Sequence, residues 1–125
     1  MLIEETPLDP AALPVQAFRA HLRLGTGFSQ DDLQGPVLEA VLRAALAAIE
    51  ARTAKILLAR DFALSLPAWS EPSGQPLPLA PVAAVREIAL RDAAGEERSA
   101  EADMWWLEGD THRPVLRPAG GALPT

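Results

Sequence analysis

The side chains able to do chemistry are few in this sequence, and their spacing keeps them apart. His21 and His112 are its two histidines. Neither stands in an HxxxH or HxH pair, so a metal site would need the tertiary fold to unite distant segments. His21 lies beside Leu22 on a helical stretch and His112 in a turn between strands, which reads as a helix surface and a loop. Asp31 and Asp32 are adjacent carboxylates of the kind that could share acid–base work. They follow Ser29 in SQDD, however, and a serine followed by an acid at that spacing is a capping box in its aspartate form, with acid favoured at a helix N-terminus. None of Ser29, Ser65, Ser70, Ser73 and Ser99 stands in a GxSxG, and no glycine run has the form of a phosphate loop. The sequence contains no cysteine, hence no thiolate, no disulfide framework and no cysteine-bound metal, as suits a reducing compartment. No residue is assigned a catalytic, cofactor-binding or metal-binding role.

Large aromatic side chains are the remaining candidates, and the chemistry they offer is adhesion. Trp69, Trp105 and Trp106 are the three tryptophans, in a sequence only 5% aromatic. Trp105 and Trp106 are adjacent, so on a strand one turns to the core and the other outward. The outward residue is either covered by the proline-rich segment or an anchor at a protein interface, where tryptophan is enriched. All three are candidate protein-interface residues. The run QPLPLAPV lacks the flanking charge of a ligand for a proline-reading domain and is a spacer that holds an extended arm.

The elements that position these residues fall into two halves. Pro14 suits the first turn of a helix whose apolar stripe is Val15, Phe18 and Leu22, and which Gly25 and Gly27 end. After SQDD, Gly35-Pro36 marks a break or restart. Val37, Leu38, Val41, Leu42, Ala45, Ala48 and Ile49 then form a wide apolar helical face reaching Arg52, with Leu42 and Ile49 expected to be buried. Two helices joined by a short loop predict an α-hairpin. Past Lys55 the period changes to two, and Phe62, Leu64 and Leu66 mark a long strand running on from the helix. Residues 67–81 hold five of the twelve prolines and form an extended connector. A strand over 82–90 follows, then RDAAGEE as its hairpin turn, then strands near 104–107 and 114–117. PAGGALPT is a loop-like tail with no closing element. The fold class is α+β: an N-terminal α-hairpin, then a β-rich arm of short antiparallel strands with a proline-rich connector. One domain, 1–125, divides into a helical base (13–55), a β-rich arm (56–117) and a tail (118–125).

Composition limits the partners. A formal net charge of -6, one lysine and ten scattered arginines exclude a protein that grips phosphates, which takes clustered basic residues. Glu4 and Glu5 belong to a solvated, acidic start with neither signal-peptide nor transit-peptide pattern. The longest nearly apolar run, 44–49, is too short to span a bilayer, so a soluble protein with no membrane partner is expected.

The order of these parts resembles a known family. VQAFRAHLRL, a loop with DDL, a helix ending IEARTAK, ILLARDFALSLPAW, PLPLAPVAAVREIALRDAAGEE and ADMWWLEGDTHRPVLRPAGG follow one another as in the head-tail connector (adaptor) proteins of tailed bacteriophages, and most resemble those of alphaproteobacterial gene transfer agents. TAK stands where relatives commonly carry Thr-Gly-Lys or Thr-Gly-Arg, and LPLAPV where they carry an LPRPPV-like run. The likeness covers about residues 15–121. Relatives continue into a further strand and C-terminal helices that pack on the first two, whereas this sequence stops at Thr125: it is a shortened relative, or its helices find that partner in a neighbouring copy.

The resemblance implies a structural subunit, not an enzyme, with no cofactor. It implies a ring of about twelve copies closed by a heterologous interface, seated between the capsid portal and the tail-side stopper or tail proteins. The protein would be made in the bacterial cytoplasm and end in the neck of the phage-like particle. DNA would pass through without sequence-specific binding, and an acidic lumen would let the duplex slide. Two other classes stay open: a small binding module that captures a peptide along an exposed strand edge, and an enzyme whose site forms where His21 or His112 meets acids across a subunit interface.

Overall fold

The computed structural model describes residues 1–26 and 35–125, without the side chains of 23–26, and separates into two compact units. SQDD, with Asp31 and Asp32, lies outside the described residues.

The first unit comprises Met1–Thr53 and Leu57–Leu64. Strand β1 (Leu2–Glu4) pairs antiparallel with β2 (Phe62–Leu64) in the register Leu2 to Leu64 and Glu4 to Phe62. A 3₁₀ turn at Pro10–Ala12 is capped by Asp9, whose carboxylate accepts from the Ala11 amide at 2.9 Å. Helix α1 (Val15–Thr26) opens just after Pro14, with Val15, Phe18 and Leu22 half-buried at the expected spacing. Helix α2 (Gly35–Thr53) starts at the expected Gly-Pro restart and packs against α1. Its inward stripe runs Leu38, Leu42, Leu46, Glu50, one residue every four, with Leu38 and Glu50 fully buried.

Two expectations are corrected here. Ile49 is 46% exposed and Leu42 only half-buried, because the alanine-rich helix is apolar on more than one side and Glu50 takes the inward position next to Ile49. Glu4 and Glu5 are both exposed, as a solvated start requires, and the backbone there is also ordered: Glu4 ends β1 and the Glu5 amide bonds the Asp61 carbonyl at 2.8 Å. The long strand running out of the helix is three residues, β2; Ala54 closes α2 in the left-handed region (φ 56°), and between them Leu57 and Arg60 are held by side-chain bonds to Glu50 instead of a ladder.

The second unit comprises Ala54–Ile56 and Ser65–Thr125. Its main sheet has the order β3 (Gln75–Pro76), β7 (Val115–Pro118), β6 (Trp105–Glu108), all antiparallel. β4 (Ala89–Arg91) and β5 (Glu97–Ser99) form a separate hairpin. Its turn was legible: Asp92 Oδ1 accepts from the amides of Ala94 and Glu96, each at 2.9 Å, and Gly95 supplies the positive φ of 88°. Of the strand expected over 82–90 only the end at β4 forms. Val82, Val85 and Ile88 turn inward at a spacing of three, the period of an extended polyproline-type chain, and not of a pleated strand.

Ile88, Leu116 and Leu123 make the core of this unit, with Trp69, Val85, Leu90, Ala100 and Trp105 packed on it. Leu123 corrects the reading of PAGGALPT as a tail without a closing element. Its side chain is 3% exposed, its amide bonds the Pro72 carbonyl at 2.9 Å, and the next carbonyl, of Pro124, accepts from the Trp69 indole at 2.7 Å. Glycine and proline hid one well-placed leucine in a loop.

Candidate functional site

The polar groups best held by the fold lie at Glu50 and Arg60 in the first unit. Their side chains are each 8% exposed and ion-paired through Arg60 Nη2 and Glu50 Oε2. Glu50 Oε1 also accepts from Arg60 Nη1 at 3.0 Å and from the Leu57 amide at 3.2 Å. Arg60 Nε reaches Glu4 Oε1 at 2.9 Å, and its guanidinium lies 5.2 Å from the centre of the Phe62 ring. The hydrogen bond from Arg60 holds the Glu50 carboxyl below its ordinary range, burial opposing and the Leu57 amide assisting. One guanidinium thus binds α2, β1 and the approach to β2. Both charges are consumed by each other, so this cluster is a clamp with no group free for a substrate. Sequence reading missed it, although an acid that follows the apolar run 44–49 of an alanine-rich helix, ten residues before an arginine, is the signal that could have raised it.

In the second unit, Lys55 Nζ lies 2.6 Å from His112 Nδ1 and bonds the Thr111 carbonyl. Asp110 turns this loop by accepting from the amides of His112 and Arg113, both at 2.7 Å, and those bonds hold its carboxyl below the ordinary range. Lys55 is half-buried and the others are exposed, and they bond one another or the backbone, which makes a pinned loop. His21 is exposed on α1. Among the described residues no group of three or more His, Cys, Asp or Glu is placed to hold a metal ion, and no helix is long and apolar enough to cross a membrane.

The tryptophans take three different positions. Trp69 is packed on the core with its indole bonded to Pro124. Trp105 also faces the core, its indole Nε1 buried without a hydrogen-bond partner. Trp106 points the other way and is 50% exposed, with Met104 nearby in sequence at 45%. The outer face of the sheet carries Trp106, directly across from Arg117, and Glu108, which pairs with Arg117 Nε at 2.6 Å. Gly74 lets β3 approach there, since a Cβ on it would lie 2.8 Å from Arg117 Nη1 and 3.1 Å from Val115 Cγ1. Beside Met104 an open hollow of about 410 Å³ is lined by Asp103, Met104 and residues 119–122. It has a single charged side chain and no converging polar set, which suits an apolar contact better than a small polar ligand.

Among the described residues, β6 is also an open edge. The Ala119 amide bonds the Met104 carbonyl at 2.9 Å, which fixes the phase of the ladder: Trp106 and Glu108 bond β7, while the N–H and C=O of Trp105 and Leu107 point away from it. The arrangement offers an unpaired strand edge, an exposed indole and an apolar hollow, the features of a surface that joins another chain.

No protein-family model and no curated protein matches the chain. Solved structures do. A chain in the neck of an empty GTA particle computed with C6 symmetry is 49% identical, with a TM-score of 0.89. A chain in the virion of the native gene transfer agent particle is 49% identical with a TM-score of 0.90, and one in the native neck computed with C12 symmetry is 45% identical with a TM-score of 0.83. Each likeness covers 100% of this chain, which spans 64%, 64% and 62% of those chains respectively.

Proposed function

We propose that the chain belongs to the head-tail connector family of gene transfer agent particles and is a ring subunit of a particle neck, seated between the capsid portal and the tail. The observation that carries this reading is the 49% identity to neck and virion chains along the whole of the sequence. The C6 and C12 symmetry of the related necks supports a closed ring. Cyclic closure takes two unlike patches on each copy, so the subunit's work is done by surfaces and not by a reactive centre. The clamp at Glu50 and Arg60, the pinned loop at Asp110 and the absence of a converging polar site in the hollow support a structural role over an enzymatic one.

DNA passes through the ring in this reading. A formal net charge of -6 with one lysine suits that passage, because a lumen short of clustered cations repels phosphate and lets the duplex slide. Trp106 is the tryptophan placed to meet a partner. Trp69 and Trp105 support the sheet from its core side.

The test is particle composition with a Trp106→Ala chain as the sole copy. Filled heads lacking tails, from a variant that purifies folded, support the connector reading. Normally tailed particles that contain no copy of the chain would overturn it.

A further inference from the structure

Among the described strands, large exposed hydrophobic side chains occur on two. β1 carries Leu2 at 39% and Ile3 at 49%, and β6 carries Trp106 at 50%, with Met104 at 45% just before it; the remaining ones lie at Met1, on α2 or at Leu57 and Leu66. Both strands are also open edges. The Glu5 amide bonds the Asp61 carbonyl, which extends the β1–β2 ladder and fixes its phase, so that Ile3 bonds Ala63 while the N–H and C=O of Leu2 and Glu4 point away from β2. On β6 the outward groups are those of Trp105 and Leu107. β3, by contrast, presents Pro76 at its free edge, which has no N–H to offer. β4 and β5 carry no large exposed hydrophobic residue.

We infer that β1 of one copy pairs with the open edge of β6 on the next copy around the ring, continuing the sheet as β1, β6, β7, β3 across the subunit boundary. The outward groups on the two strands match in one antiparallel register. Leu2 faces Leu107 and Glu4 faces Trp105 as hydrogen-bonded pairs, which sets Ile3 opposite Trp106 as the close, non-hydrogen-bonded pair between them. Each exposed apolar side chain then covers the other, and two edges that would otherwise invite non-specific pairing are consumed. The occupant of the β6 edge is a second copy, because a ring of identical chains takes two unlike surfaces and β1 and β6 are the two that share exposed apolar side chains and unpaired backbone groups. This inference rests on the ring reading above.

The sequence has no cysteine, so a chain carrying Ile3→Cys and Trp106→Cys has only those two thiols. Non-hydrogen-bonded cross-strand pairs, with Cα atoms about 4.5 Å apart, lie within disulfide reach. Particles assembled from it are oxidised and their chains separated without reductant, while electron microscopy scores rings in the same sample. A ladder of covalent dimers, trimers and higher multimers, absent from either single variant, is the expected result. In parallel, the unmodified chain is compared free and assembled by hydrogen exchange, with the Trp105 and Leu107 amides expected to slow at least about tenfold on assembly. Both amides still exchanging at the free rate in rings of the unmodified chain would overturn the strand pairing and leave the ring reading standing, whether or not the double-cysteine chain forms rings, and so would rings of the double-cysteine chain that show no ladder. A disulfide confined to a fast-running monomer would overturn the pairing as well. Loss of rings from the unmodified chain's own particles would overturn both.

Discussion

Removing Arg60 from the clamp in the first unit separates its charge from its packing. Arg60→Ala leaves Glu50 with a side chain 8% exposed and only its existing bond from the Leu57 amide, at 3.2 Å, after losing both hydrogen bonds from Arg60. Breaking a buried ion pair by deleting one partner costs about 3 to 5 kcal/mol, since the surviving charge stays desolvated. The low end applies here, because the Glu50 carboxylate keeps one donor, so the expected loss is about 3 kcal/mol. At a slope of about 2 kcal/mol/M in urea, that moves the midpoint down by about 1.5 M. Glu50→Met with Arg60→Leu removes both charges and keeps the volume, and the double variant should recover at least half of the single loss. Urea melts of the four chains, read by circular dichroism at 222 nm, give the cycle. Single losses under about 1 kcal/mol, or strictly additive ones, would refute the claim that the pair holds α2, β1 and the approach to β2 together.

Three further outcomes are expected. Glu50 has its pKa lowered in the folded chain from an ordinary 4.5, so its contribution is fully present above that pH and is lost as pH falls through the lower folded value; acid titration of Glu50→Gln should show a shallower loss of stability below pH 4.5 than the parent. Ala54→Gly should raise stability by about 0.5 to 1 kcal/mol in a thermal or urea melt, because Ala54 closes α2 with φ 56° where glycine carries no Cβ penalty. Replacing His21 and His112 together should leave DNA delivery within about twofold of the parent in a transfer assay, since neither is placed beside a metal set and His112 serves only to pin a loop.

What was legible in the sequence came from local rules that tertiary packing left alone. Val15, Phe18 and Leu22 marked the inner side of α1, Gly35-Pro36 marked the start of α2, and Asp92 with Gly95 marked the hairpin, each a matter of a few neighbouring residues. Ile49 shows where periodicity stops informing: on a helix apolar on several sides, the buried stripe is chosen by what packs against it, and here Arg60 drew Glu50 inward. Val82, Val85 and Ile88 were misread because β-branched residues signal strand whether the chain is pleated or polyproline-like. Leu123 was hidden by the glycines and prolines around it. At the candidate interface, the opposition of Trp105 and Trp106 followed from strand geometry alone. Which of the two faces out, and that β6 is an open edge, depends on pairing with residues a dozen positions away.

The most direct measurement is cryo-electron microscopy of particles in which this chain is the sole connector, reconstructed at the neck without imposed symmetry. A closed ring of copies between portal and tail, with duplex density along its axis, is the expected result. A complete neck in which no copy of this fold can be placed, or copies found only as free monomers outside the particles, would contradict it.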